Sequence, residues 1–242
     1  QTSYGNLTVD RSKIVSGTFS APIETPESGL EVELLFDNDI DVYGGADIII
    51  QNNGVLAATG VDGISQSAIR TTGLGNYLEI GGSEALDAAE DLTLSFWILL
   101  QEASRLQYIL SKWDISEGTT TAGKIAVGTQ YSGLYIYLVD PKGMYHFNRF
   151  DDMIPVAEWT HIAVVFNKGL LSVYRDGLLS GEDTFDFTAL KNDPSPLYIM
   201  TAKANTTSPW TQYNLNGSLD GLRIYTRALS QTEIEALAAE FN

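Results

Sequence analysis

Residues 158–177, EWTHIAVVFNKGLLSVYRDG, limit what this chain can fold into more than any other stretch. From Thr160 to Phe166 both alternating faces are mostly apolar: Ile162, Val164 and Phe166 on one, Ala163 and Val165 on the other. That pattern suits a strand buried inside a two-layer sandwich. A turn at Asn167-Lys168-Gly169 separates it from Leu170–Arg175, which alternates more loosely. Asp176-Gly177 then supplies the left-handed backbone that a hairpin turn needs. The stretch predicts a β-meander at the centre of an all-β domain.

The flanking chain repeats the theme. Leu30–Phe36 alternates apolar and acidic residues and is expected to be the first core strand. Short apolar runs at 48–50, 55–57 and 77–80 alternate with glycine-rich turns. Asp91–Leu100 is the next strong strand, with Leu92, Leu94, Phe96 and Ile98 on one face and Thr93, Ser95 and Trp97 on the other. Further strands are predicted over 108–113, 124–129, 133–139, 144–150, 197–201 and 222–225. Tyr135 and Tyr137 share a face of the 133–139 strand. Ser230 opens the one helix: Ser230 and Glu233 make a capping box, and Ile234, Leu237 and Phe241 recur at helical spacing. Short strands every roughly 8 to 15 residues, with turns between and a single terminal helix, predict an all-β fold, a two-sheet antiparallel jelly-roll sandwich with a short C-terminal helix. Residues 1–29, rich in Ser, Thr, Pro and Gly, read as an N-terminal arm or linker, and 30–242 as the domain.

A length of 242 residues and a 44% hydrophobic share supply a full-sized core. No run approaches the roughly 18 to 20 apolar residues of a membrane helix, so membrane insertion is not expected. Against 14 basic residues stand 31 acidic ones, for a formal charge of −17. A surface so acidic repels phosphate backbones, which argues against nucleic acid as a partner. With no cysteine, disulfides, zinc-thiolate sites and cysteine nucleophiles are excluded together. The start at Gln1 fits a processed or trimmed product, or an arbitrary boundary. Sequons at Asn6, Asn205 and Asn216 would matter only on a eukaryotic secretory route.

DLTLSFWI (91–98), the 158–177 stretch and GSLDGLRIYTRALSQTEIEAL (217–237) together resemble the laminin-G-like, concanavalin A-like jelly-roll family of bacterial extracellular proteins. The resemblance runs over about residues 30–242. It implies the same sandwich and an extracellular, cell-surface or periplasmic location, but it leaves function open, because the fold hosts lectins, hydrolases, lyases and adhesive spacers. It also implies a structural calcium at Asp37, Asn38 and Asp220, which stand at the matching positions. The competing reading is that these Asx residues form turns. No EF-hand is present: Val42 and Ile48 occupy the positions that would need glycine and glutamate.

Sugars are held by aromatic faces, with amides and charged groups fixing the hydroxyls. Trp113, Tyr131, Tyr145, Trp210 and Tyr213 lie in or beside polar loops, with Lys112, Asn148, Arg149, Asn205 and Gln212 as nearby polar groups. Trp97 and Trp159 are expected in sheet packing. The glucanase signature E-x-D-x-x-E is missing from the sequence, and no nucleophile or zinc motif accompanies His146 or His161. His161 is expected as a hydrogen-bonded core histidine. The expected function is non-catalytic carbohydrate binding on or beside the concave sheet. Ligand-binding residues would be Trp113, Tyr145, Trp210, Tyr213 and Lys112, and the partner a polysaccharide or other glycan. The alternatives are an adhesive module that binds other surface proteins, and a hydrolase or lyase with an unrecognised site.

Overall fold

A computed structural model describes residues 26–36, 49–73, 75–81, 83–113, 123–202 and 213–241. Strand Trp159–Asn167 (β11) lies at the middle of one sheet, flanked by Leu92–Leu100 (β6) and Leu170–Arg175 (β12). That eight-stranded sheet continues outward on one side to Leu178–Thr184 (β13). On the other side Asn216–Tyr225 (β15) leads to Ser65–Thr72 (β4) and Leu56–Thr59 (β3). The far half of β15 pairs instead with Leu30–Leu34 (β1). The second, seven-stranded sheet runs Tyr145–Phe150 (β10), Gly133–Val139 (β9), Ile125–Gln130 (β8), Gln107–Lys112 (β7), Leu197–Ile199 (β14), Tyr77–Gly81 (β5), Ile49–Asn53 (β2). The ladders are antiparallel.

The core fills the space between the sheets. Phe96, Ile98, Ile162, Val164, Phe166, Leu219 and Ile224 meet Ile109, Val127, Leu134, Ile136, Leu138 and Ile199. Each such side chain contributes roughly 1.5–3 kcal/mol on burial. The second apolar face of β11 has a different cause from the one the alternation suggests. Ala163 and Val165 point away from the other sheet and pack under helix Gln231–Ala239 (α2), against Ile234 and Leu237. The helix begins as expected, with the Ser230–Glu233 capping box formed on both sides. Its far end is tied down by Arg223 of β15, which bonds Glu240 through two nitrogens at 2.6 and 2.8 Å and Glu33 of β1 at 2.7 Å.

Three elements escape the sequence pattern. β4 reads SQSAIRTT and lacks a run of apolar residues, yet it buries Ser67, Ala68, Ile69 and Thr71 beside β15. β15 starts at Asn216, six residues before the predicted strand. Gly217, which reads as a turn residue, is there because a Cβ at that position would stand 2.5 Å from the Leu99 carbonyl oxygen. A short helix, Glu84–Ala88 (α1), is capped by the Ser83 hydroxyl, which accepts from the Leu86 amide at 3.0 Å.

Candidate functional site

The two outer faces of the sandwich differ. The outside of the first sheet is covered by α2, whereas the outside of the second carries a sheet of aromatic rings. In β9, Leu134, Ile136 and Leu138 point into the core, so Tyr135 and Tyr137 point outward. The β9–β10 ladder places Phe147 opposite Tyr137, Arg149 opposite Tyr135 and Tyr145 opposite Val139. Tyr108 of β7 rises on the far side of Ala126 and Gly128 of β8.

Contacts join these rings into one surface. Tyr135 and Phe147 lie 5.6 Å apart between centroids, Phe147 and Tyr137 5.0 Å, Tyr137 and Trp113 6.1 Å, and Trp113 and Tyr145 6.2 Å. Tyr108 touches both Tyr137 and Tyr213, each at 6.3 Å. Crossing from β10 to β7 takes three strand spacings, about 15 Å. Tyr145 is 48% and Phe147 46% exposed, while Tyr108 is buried at the base with Ala126 and Ala202. Burial, reinforced by Tyr137, pushes the Tyr108 phenol above its usual range, and burial likewise raises that of Tyr137. Both therefore stay protonated and act as neutral donors at ordinary pH. The Trp113 indole is seated against Gly123, where a Cβ would come within 2.8 Å of the ring. At the outer end the Arg149 guanidinium lies over Tyr135, 5.4 Å from its centroid, and Arg149 Nε forms an ion pair with Asp151 Oδ1 at 2.6 Å.

Trp113, Tyr145 and Tyr213, which the sequence singles out, thus fall on one face. Tyr108, Tyr135, Tyr137 and Phe147 belong to the same face and were not assigned to it, and Arg149, one of the nearby polar groups, lies there too. Their signal was available: two strands in a hairpin, each with aromatics at alternate positions, must present them side by side when paired in this register. Trp210 lies outside the described residues. Tyr131 is exposed at the tip of the β8–β9 turn, in left-handed backbone with φ 51°.

Lys112 corrects the expectation. It is buried, its ammonium 2.6 Å from Asp87 Oδ1 and also donating to the Ser195 carbonyl. A ligand on the aromatic face cannot reach it. Beside it Lys124 donates to the Asp87 and Lys191 carbonyls, and burial together with Lys112 pushes its pKa down to about 8. These two lysines stitch α1 and the segment around Asp193 to the end of the second sheet.

Asp220 is buried in β15, where its carboxylate accepts the amides of Val61 at 3.0 Å and Gly221 at 2.7 Å. Asp62 and Ser67 line the same spot: a side chain at Gly60 would collide with Ser67 Oγ, Asp220 Oδ2 and Asp62 Oδ1. These are hard oxygen donors of the type calcium takes, but both carboxylates already accept backbone amides. Asp37 and Asn38 lie outside the described residues. Among the described residues no group of three or more His, Cys, Asp or Glu is placed to hold a metal ion.

The histidines sit apart from the aromatic face. His161 is buried under α2, its Nε2 2.9 Å from Ser95 Oγ and its ring 5.4 Å from Trp97. His146 points inward from β10, 3.3 Å from Asp140 and against Phe187 at 4.6 Å. Trp159 is partly exposed at the start of β11. No helix among the described residues is long and apolar enough to cross a membrane.

A family model described as the concanavalin A-like lectin/glucanases superfamily, Laminin_G_3, matches residues 71–235. A search of curated proteins found no match to the chain. Among solved structures, the binding domain of Paraclostridial Mosquitocidal Protein 1 superposes with a TM-score of 0.69 at 18% identity, over 87% of this chain and 52% of that one. The botulinum neurotoxin serotype D binding domain gives 0.66 at 14% identity, over 87% and 51%. The serotype G binding domain gives 0.65 at 13%, over 86% and 50%. At these identities the likeness is one of fold, and the chain spans about half the length of these relatives.

Proposed function

The chain belongs to the concanavalin A-like lectin/glucanases superfamily, and we propose that it is a non-catalytic carbohydrate-binding module acting outside the cytoplasm. One observation carries the reading: the continuous, partly exposed array Tyr135–Phe147–Tyr137–Trp113–Tyr145 on the sheet face that no described helix covers. A monomeric surface seldom leaves so many rings exposed side by side without a use for them. Rings stack on the apolar C–H faces of sugars, while Arg149, Asp151 and the tyrosine hydroxyls can fix hydroxyl groups. A structural calcium at Asp37, Asn38 and Asp220 forms part of the proposal, and it would stiffen loops at the sheet edge. Its readout is a calcium-dependent rise in melting temperature that Asp220→Asn abolishes.

The test is affinity electrophoresis or a glycan array with Phe147→Ala and Trp113→Ala as controls. Retention by a polysaccharide that both variants lose supports the reading, and retention by no glycan removes it. The second reading is a protein-docking face, favoured by the exposed Met144, Tyr145 and Phe147 in a row on the β10 edge. It predicts that the same variants lose a protein partner and bind no glycan.

A further inference from the structure

We infer that the ligand of the aromatic face is a neutral glycan, and that the Arg149–Asp151 pair sets this preference. The inference rests on the carbohydrate reading above. The pair stands at one end of the ring array, with Arg149 laid over Tyr135 and held by Asp151. Its side chains remain 43% and 68% exposed, so both can meet a ligand. A guanidinium that donates beside a carboxylate that accepts matches a sugar hydroxyl, which does both. The pair also has no net charge to offer an anion.

Among the described residues, two other cations around this face, Arg105 and Lys112, are committed as well. Arg105 bonds Glu102 at 2.5 Å and donates to the Asn214 carbonyl beside Tyr213. Lys112 is buried on Asp87. Lys142, on the turn before Tyr145, is exposed, but it is a single charge on a chain of formal charge −17. A uronate or sulfate group arriving over Tyr135 would find the Arg149 charge already offset by Asp151, on a chain whose formal charge is −17. Hydroxyl-rich, uncharged chains face neither barrier.

The experiment sets neutral polymers (a glucan, a mannan, a xylan) against polygalacturonate and chondroitin sulfate. Wild type, Asp151→Asn and Arg149→Gln are compared at low and high salt, with folding checked by melting temperature. Wild type is expected to retain a neutral polymer with an affinity that changes less than about twofold with salt, and neither acidic polymer. Asp151→Asn should weaken neutral binding about fivefold, the worth of one hydrogen bond, and admit an acidic polymer in a salt-sensitive manner. Arg149→Gln should weaken neutral binding without admitting the acidic polymers. Wild-type retention of an acidic polymer that salt abolishes would overturn the inference and leave the carbohydrate reading standing. An Asp151→Asn profile identical to wild type would overturn the role of the pair. Retention of no polymer at all would remove both.

Discussion

Tyr137 of β9 and Phe147 of β10 face each other across one ladder position, their ring centroids 5.0 Å apart on the outside of the second sheet. This pair sits at the centre of the aromatic array, with Tyr135 on one side and Trp113 on the other. Its surroundings separate binding from stability, because Phe147 is nearly half exposed while His146, Asn148 and Phe150, which alternate with it on β10, are more buried.

Phe147→Ala and Tyr145→Ala are expected to weaken ligand binding about fivefold to tenfold each, the effect of one lost aromatic contact of about 1 kcal/mol. The melting temperature should move little, because both rings are partly exposed. Titration calorimetry with the retained glycan, paired with thermal unfolding, checks both halves. Equal losses of affinity and stability would mean that the rings serve packing alone.

Acid should weaken the fold through His161. Burial, aided by the Arg223 charge, lowers its pKa from 6.5 to about 3 in the folded state. Between those values the unfolded chain binds the proton and the folded one does not, so stability falls as pH drops from about 6.5 toward 3. The contribution between pH 7 and pH 5 is about 2 kcal/mol. His161→Gln should flatten that part of the stability curve in urea unfolding measured at the two pH values. An unchanged slope would show that the histidine charges freely in the folded protein.

Arg223→Met should loosen the C-terminal helix. It leaves Glu33 and Glu240 facing each other near the end of α2 without their shared cation, at a cost of about 3 kcal/mol. Hydrogen exchange should quicken first over 231–239, before the sheets open. Adding Glu240→Gln to the variant should recover part of the loss, because one stranded carboxylate is then neutral.

Gly217→Ala should cost about 2 kcal/mol, because the added methyl would press on the Leu99 carbonyl between β15 and β6. Chemical denaturation gives the number. The same substitution at Gly63, where a Cβ would meet nothing within 4 Å, tests left-handed backbone strain alone (φ 80°) and should cost less.

How much could be read in advance differed by element. The strands β6, β11 and β12 and the capping box of α2 were legible because their signals are local: alternation within a few residues, and a hydroxyl three positions from a carboxylate. β4 and the first half of β15 were not, because they are polar or glycine-bearing stretches that become strands only between neighbours that satisfy their backbone. Lys112 read as a ligand-binding polar group beside Trp113. Asp87 and the Ser195 carbonyl, distant in sequence, turn it into a buried charge.

The sequence by itself determined that the chain must form two apolar-faced sheets with a capped helix at its end, since alternation and capping act over a few residues. Which aromatics gather, and where, was decided only by tertiary structure. Side chains alternate along a strand, so a register shift of one residue would send Tyr137 and Phe147 to opposite faces. The pairing of β9 with β10, and the covering of the opposite sheet by α2, put the rings together on the face that no described helix covers.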